Sequence, residues 1–585
     1  MIPSSAPNSD VHIDYDVRTS RFHITAPAWR VDHVRSIPNR RWDARRRVWT
    51  APALRANSVF LLANFQPSTF TPDALRIAQD TIERVRSHEL SAFPAAYRFK
   101  TTPRPYQRKA LDKAWDRTSF AFYMDMGTGK TKTSLDLMFA YFADAKVDRV
   151  LIVTKFSTRR NWEQEIGLHA PFLYDPLVLD TSKPAVFHDW NTRDEGDLKF
   201  LIVGTESLAA GGAMAMAQKF VDVSTRVGMI VDEAHMIKNH SAVRSKNCVK
   251  LGRSAAYKVI MTGTPISNSP MDVFMQFEFL DPNIIGIGDF YSFRNRYAIM
   301  GGFEGKQVIG YQNMDELIEL LSPFVYQVRK SEVLTELPPK IYQTREVTLN
   351  DEQKRLYKEI SKRNTAVTGD RGITIQTILE RMLRLQEICG GVITYERNPT
   401  MFDNRKYEHC RIPGANSKVD EVLAIAQDST GSIIVWCRFL EEIRMVATAL
   451  REAYGEDSVV EIHGGIEENQ RWENVNTKFQ MGQARFLVGN AATGGVGLNM
   501  TRAETVVYYS NSFSFTDREQ SEDRAHRIGQ TKSVTYIDLI VEKSVDRIVY
   551  EALKNKRDVS EYVRGAIAQT SGHSPGDPLG GILSV

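Results

Sequence analysis

At 585 residues the chain is expected to hold roughly three or four globular units, since a domain typically runs to about 100–200 residues. Its 42% hydrophobic and 25% charged residues exclude a disordered chain, and no apolar run approaches the roughly 18 residues of a membrane span. A net charge of +4 on this length defines no partner by itself.

The first residues, MIPSSAPNSD, show no basic and then apolar leader, so an intracellular, cytoplasmic protein is expected. Cys248, Cys389, Cys410 and Cys437 form no CxxC pair, which argues for plain thiols, without a disulfide framework or a structural zinc.

In chain order, residues 1–95 are predicted to form a small basic unit of strand-like and Trp-containing pieces. From Arg18 to Arg55 ten arginines face two acids, Asp32 and Asp43. Residues 96–282 then alternate branched apolar runs (SFAFYM, RVLIVT, LKFLIVG, GMIVDE, YKVIMTG) with polar, helix-like stretches. That alternation predicts a parallel sheet covered on both faces.

Residues 283–415 change character, with NDEQKRLYKEISKR and TILERMLRLQEIC reading as helices around the turn-forming LPPK, and are predicted to be a helical insertion and linker. A second series, SIIVWC, VVEIHG, ARFLVG, ETVVYYS and VTYIDLI, predicts another α/β lobe over 416–562. The Gly-, Ser- and Pro-rich tail 563–585 is predicted to be disordered. The expected fold is thus α/β, with two tandem lobes built on parallel sheets, a helical insertion and a small N-terminal α+β domain.

Chemistry first shows in Met124-Asp-Met-Gly-Thr-Gly-Lys-Thr131, between the run SFAFYM and a helix-like KTSLDLMFAYF. Gly127 and Gly129 let the backbone curl so that N–H groups, Thr128 included, aim at phosphate oxygens in front of a helix N-terminus. Lys130 would meet the β and γ phosphates and Thr131 would offer a hydroxyl to Mg²⁺. Met124 stands where the full motif has its first glycine, and alone the shortened motif also fits a glycine turn before an ordinary helix.

A hundred residues on, GMIVDEAH ends a second apolar run with Asp232 and Glu233. A carboxylate pair there fits Mg²⁺ orientation by Asp232 and polarisation of the attacking water by Glu233.

The ordered blocks RPYQRKAL, DMGTGKT, LIVTKFSTRRNW, VDEAH, MTGTPISN, VWCRF, HGG, ATGGVGLN and QSEDRAHRIGQ, from about residue 103 to 550, resemble the motif series of Swi/Snf-type ATPases of helicase superfamily two, with VDEAH as the DEAH box. The resemblance implies two RecA-like lobes, ATP and Mg²⁺ as cofactors, and duplex DNA gripped without regard to sequence. It implies that Tyr106 and Gln107 read adenine, and that Thr262 and Thr264 relay nucleotide state. Gln520, Arg524 and Arg527 are implied to act on the γ phosphate. The two arginines lie three apart and are expected to share a helix face.

By the same resemblance Lys155, Arg159, Thr205, Arg438, Gly494, Gly495 and Asn499 are candidate phosphate contacts. The TGT at 262–264 and RAHRIGQ are implied to favour DNA over RNA. The segment YYSNSFSFTD departs from the family's more usual aspartate, tryptophan and proline signature, and with short insertions this looks like a compact phage or bacterial member, in the host cytoplasm if phage-encoded.

The stretch FHITAPAWRVDHVRSIPNRRWDARRRVWTAP resembles the HARP module of annealing helicases, which implies DNA contacts from Arg40, Arg41, Arg45, Arg46 and Arg47 and a small core packed by Trp42 and Trp49. The expected activity is ATP-driven translocation on double-stranded or branched DNA. Alternatives are a strand-separating helicase on single-stranded DNA or RNA, and a non-hydrolysing ATP-gated clamp.

Overall fold

A computed structural model describes residues 11–17, 19, 21–37, 40–86, 92–193, 196–266, 269–302, 307–363, 375–396, 407–494 and 499–555. The predicted disordered tail lies outside them. The contacts divide the chain into two units, the first running to Val333 and the second beginning at Leu334, apart from Met126–Thr128, which group with the second.

The first unit opens with a four-stranded antiparallel sheet, β1 (His12–Asp16), β2 (Arg21–Thr25), β3 (Arg41–Asp43) and β4 (Val48–Pro52), in the order β1-β2-β4-β3. Alternation along β1 and β2 sends Ile13, Phe22 and Ile24 inward, where Leu61 of the helix Arg55–Asn64, Phe65 just past its end, and Ala74 and Ala78 of the helix Pro72–Arg86 meet them. The expectation that Trp42 packs this core is corrected. Trp42 is 50% exposed, on the short strand β3, and leans on half-buried Trp49 with ring centroids 5.2 Å apart.

The body of this unit is a seven-stranded sheet. Its strands are β5 (Ser119–Met124), β6 (Arg149–Thr154), β7 (Tyr174–Val178), β8 (Leu198–Gly204), β9 (Val227–Asp232) and β10 (Tyr257–Met261), completed by a strand from further along the chain. After β10 come a two-stranded hairpin, β11 (Ala298–Gly301) with β12 (Gln307–Tyr311), and then β13 (Val325–Val328). The sheet order is β13-β5-β10-β9-β6-β8-β7 and every pair is parallel. All six residues of β5 are buried, Ala121 and Tyr123 facing one core while Phe120 packs edge-on to Phe122 on the other side.

The second unit has a six-stranded, wholly parallel sheet. It uses β14 (Lys340–Val347), then, beyond the antiparallel pair β15 (Val392–Glu396) and β16 (Tyr407–Arg411), β17 (Ser432–Trp436), β18 (Val459–Ile462), β19 (Phe486–Gly489), β20 (Ala503–Tyr508) and β21 (Val534–Val541). The order is β14-β21-β20-β17-β19-β18. Period-two alternation splits each strand between two cores: Ile433, Val435 and Val507 go to one, Ile434, Trp436 and Val506 to the other. Each unit thus carries a RecA-like lobe of parallel sheet covered by helices on both faces.

The segment 283–415 differs from the helical insertion expected of it. It does carry the predicted helices as Asp351–Arg363 and Ile375–Cys389, but it also holds β11, β12, β15 and β16 and lends β13 to the first sheet and β14 to the second. β13 is a four-residue strand and β14 is mostly exposed, so neither carries a buried apolar run.

Among the described residues no helix is long and apolar enough to cross a membrane, and no group of three or more His, Cys, Asp or Glu side chains is gathered for a metal. The four cysteines are free thiols.

A buried ion pair ties helix ends together in the second unit. Lys418 Nζ lies 2.8 Å from Asp546 Oδ2 and donates to the Tyr509 carbonyl at 2.8 Å, with both charged side chains almost wholly enclosed. Removing one partner strands the other charge in a low-dielectric interior. Asp546→Ala is therefore expected to destabilise this unit by about 3–5 kcal/mol, checked by thermal or denaturant unfolding of the purified chain.

Candidate functional site

Parallel strands put their C-terminal ends at one edge, so the segments that follow β5, β6, β9 and β10 emerge together. β5 leads into the phosphate loop. Gly127 and Gly129 both take left-handed backbone angles, φ +76° and +82°, which glycine adopts without steric cost. Gly129 has a second reason to lack a side chain, because a Cβ there would sit 2.2 Å from Gln107 Nε2.

Gln107 is 3% exposed on the helix Pro105–Ala114, and its Oε1 accepts from the Arg104 backbone N–H at 2.9 Å. The side-chain amide expected to read adenine thus lies directly against the loop expected to hold phosphate. Tyr106 on the same helix is buried.

The helix Lys130–Ala143 starts at the loop's end, with Thr128 and Lys130 buried and Thr131 half-buried. Glycine backbone, a helix N-terminus and an enclosed ammonium suit a nucleotide's phosphates.

Asp232 is the last residue of β9. Its Oδ2 accepts from the Thr154 hydroxyl and from the Trp162 indole N–H, each at 3.0 Å, and its Oδ1 accepts from the Glu233 backbone N–H at 2.9 Å. Burial, joined by the neighbouring Glu233 charge, pushes Asp232 above the usual carboxylate range. Glu233 moves the other way. Burial pushes it up, but the His235 ring beside it and the charges of Lys130 and Lys155 outweigh that and hold it well below its ordinary value.

Glu233 also adopts a left-handed backbone, φ +49° and ψ +55°, a strained conformation for a residue with a Cβ and one that clusters at functional sites. Its Oε2 is buried 3.3 Å from His235 Nδ1 without the alignment of a hydrogen bond. An ionised carboxylate held beside the His235 ring is equipped to accept a proton from water. Mg²⁺, when bound beside Thr131 and Asp232, would supply charge neutralisation on the phosphates.

The neighbouring turn connects to the same residues. Met261 of β10 pairs with Asp232 of β9, so Thr262 emerges beside the DEAH segment. Its hydroxyl oxygen accepts from the Thr264 backbone N–H at 3.1 Å and lies 3.3 Å from His235 Nδ1.

Several candidate phosphate contacts have their side chains engaged within the protein. Arg159 is 8% exposed, its guanidinium lying over the Phe156 ring and donating to the carbonyls of Phe156 and Leu179, both at 2.9 Å. That charge is engaged by carbonyls of its own turn and of the segment after β7. Thr205 is fully buried and donates to the Thr154 carbonyl. In the second unit Arg438 stacks 3.8 Å from the Phe513 ring centroid and donates to Gln386 Oε1 at 3.0 Å. Burial lowers its pKa to about 10. Lys155 stays half-buried and Asn499 exposed, Gly494 ends the short helix Ala491–Gly494, and Gly495 lies outside the described residues.

The pairing of Arg524 with Arg527 on one helix face is also corrected. The helix Phe515–Ala525 ends with His526 as its C-cap, so Arg527 lies past it in a bend. Both arginines are half-buried, and Gln520 is buried with its Nε2 lacking a hydrogen-bond partner. Glu522 is engaged by Arg518 at 2.8 Å and Lys340 at 3.0 Å.

In the N-terminal sheet all five candidate arginines are exposed. Asp43 Oδ1 accepts from the backbone N–H groups of Arg45 and Arg46, shaping the β3–β4 turn so that Arg45, Arg46 and Arg47 stand at its tip.

Sequence reasoning did not single out Thr154, Trp162 or His235. Their signal was present in LIVTKFSTRRNW and VDEAH, but only the parallel pairing of β6 with β9 shows that the first block touches Asp232.

Residues 109–391 match the SNF2-related domain and residues 415–529 the helicase conserved C-terminal domain. Among curated proteins, the DNA annealing helicase and endonuclease ZRANB3 of Homo sapiens is 26% identical over 462 residues, covering 78% of this chain and 40% of that protein. The CHD3-type chromatin-remodeling factor PICKLE of Arabidopsis thaliana is 24% identical over 491 residues, covering 79% and 34%. The chain therefore spans about a third to two fifths of the length of these relatives. Among solved structures, the Sulfolobus solfataricus SWI2/SNF2 ATPase core in complex with dsDNA aligns at 22% identity over 85% of this chain and 100% of that one, with a TM-score of 0.37.

Gly129→Ala tests the nucleotide loop. A Cβ at this φ costs about 1–2 kcal/mol in backbone strain and must also displace the Gln107 amide. Titration with a fluorescent ATP analogue is expected to show binding weakened on the order of 10-fold or more, with the unfolding midpoint lowered by only a few degrees.

Proposed function

Because the chain joins an SNF2-related domain to a helicase C-terminal domain and so belongs with the Swi/Snf-type ATPases of helicase superfamily two, we propose that it is an ATP-driven, sequence-independent translocase on double-stranded or branched DNA. In this reading ATP and Mg²⁺ are its cofactors, it acts inside the cell, and its task is fork remodelling, annealing or protein displacement in replication, recombination or repair.

The observation that carries the reading is the convergence at one sheet edge of Gln107, Gly129, Lys130, Asp232, Glu233 and Thr262. Lys130 neutralises phosphate charge, Asp232 with Thr131 orients the metal, and Glu233 polarises the attacking water. Gln520, Arg524 and Arg527, carried by the second unit, are assigned to charge developing on the transferred phosphoryl group. A motor whose phosphate-binding groups and arginines sit on separate units turns nucleotide state into movement through their differential contacts with ATP.

The exposed arginines of the β3–β4 turn and half-exposed Trp42 support DNA contact by the N-terminal sheet, cation to phosphate and ring to base. The annealing activity named for ZRANB3 is in keeping with a branched substrate.

Steady-state ATP turnover, measured without nucleic acid and with single-stranded DNA, duplex, forked DNA and RNA, tests the proposal. Strong stimulation by duplex or fork is expected, and stimulation by RNA or single strands alone would overturn it in favour of an unwinding helicase. Lys130→Ala should lower turnover by on the order of 100-fold or more. Glu233→Gln should abolish turnover while leaving ATP binding intact.

Replacing Arg45, Arg46 and Arg47 together by alanine should remove any preference for fork over duplex and flatten the salt dependence of DNA binding, with the maximal ATPase rate on saturating duplex unaltered.

A further inference from the structure

Asp232 is held by three protein donors. Its Oδ2 receives the Trp162 indole N–H and the Thr154 hydroxyl, both at 3.0 Å, leaving Oδ1 with one backbone donor from Glu233 at 2.9 Å. A carboxylate offers about two acceptor directions on each oxygen. Oδ2 is therefore filled by the protein, and the open direction lies on Oδ1.

The donors are rigidly placed. Trp162 is 1% exposed, on the helix Arg159–His169, so its large ring is locked by packing. Thr154 ends β6, one residue beyond the pairing of Val153 with Val231, which sets it beside Asp232 at the end of β9. Its hydroxyl oxygen also lies 2.6 Å from that of Thr158, and Thr158 in turn lies 2.9 Å from the Lys155 carbonyl. The Thr154 carbonyl accepts from the backbone N–H of Thr205 at 2.6 Å and from its hydroxyl at 3.0 Å. With one proton on each hydroxyl, Thr154 donates to Asp232 while Thr158 donates either to the Thr154 oxygen or to the Lys155 carbonyl, so these groups form a cluster behind the carboxylate.

We propose that Trp162 and Thr154, backed by Thr158, are positioning residues that aim Asp232 Oδ1 at the magnesium ion of a bound nucleotide. The inference rests on the nucleotide-site reading above. Partners that orient a metal ligand from behind contribute to metal affinity without touching the metal, and the indole N–H does this here with no charge of its own.

The test reads metal dependence directly. Binding of a non-hydrolysable fluorescent ATP analogue to the full chain is followed while Mg²⁺ is titrated, and separately in excess chelator. Trp162→Phe keeps an aromatic ring and removes the donor together with the five-membered part of the indole. It should raise the Mg²⁺ concentration for half-maximal binding by roughly 10-fold while leaving metal-free nucleotide binding unchanged. Thr154→Val should do the same, and Thr154→Ser, which restores the hydroxyl, should return close to the wild-type curve.

Wild-type Mg²⁺ dependence in folded Trp162→Phe and Thr154→Val proteins would overturn this inference and leave the nucleotide site standing. A wild-type chain that does not bind the analogue at all, with or without Mg²⁺, would overturn both. Because Trp162 is deeply packed, the threonine pair decides the matter if the Trp162→Phe protein unfolds, since valine and serine bracket the hydroxyl at nearly constant volume.

Discussion

Parallel pairing of β5, β10, β9 and β6 is the constraint on which the nucleotide site depends. Residues from Gln107 to Thr262 meet there only because these strands end at the same edge and in fixed register. A one-residue slip of β9 would carry Asp232 to the opposite face of the sheet and replace it with an aliphatic side chain. The buried alternation of Ala121 and Tyr123 against Phe120 and Phe122, and of equivalent residues on the neighbouring strands, resists such a slip because it would also turn both cores inside out. Packing and chemistry are thus secured by one register.

Within that frame two adjacent carboxyl groups are driven apart. Asp232 sits among neutral donors and is raised by burial, whereas Glu233, slightly more exposed, lies close to His235, Lys130 and Lys155 and is lowered. Environments that separate the pKa values of paired acids also separate their tasks. The left-handed turn at Glu233 is the backbone's part in this, since an extended residue after β9 would simply prolong the strand.

Much of this was legible beforehand. The nine apolar runs from RVLIVT to VTYIDLI all became strands, because buried parallel strands are continuous hydrophobic stretches. The short or exposed β7, β13 and β14 carry no such run and were invisible. Local motifs located Lys130, Asp232 and Glu233. They did not reveal that Arg159 and Thr205 turn inward, since orientation depends on the neighbouring loop and not on composition. Nor could spacing of Arg524 and Arg527 show that the helix stops between them. Trp42 and Trp49 looked alike as core residues, yet Trp42 lies on a three-residue edge strand with one face open to solvent.

The strands that complete each sheet arrive late in the chain. β5 lies between β10 and β13, so its pairing waits until Val325–Val328 have been made. In the second unit the first strand, β14, pairs with the last, β21. On a nascent chain β5 keeps one edge open until residue 328 of 585, and the second sheet cannot take up β14 until β21 has left the ribosome. Contacts this distant in sequence close slowly and leave edges open to other chains. Production of the protein should accordingly be governed by elongation rate, temperature and chaperone supply more than by the stability of the finished lobes.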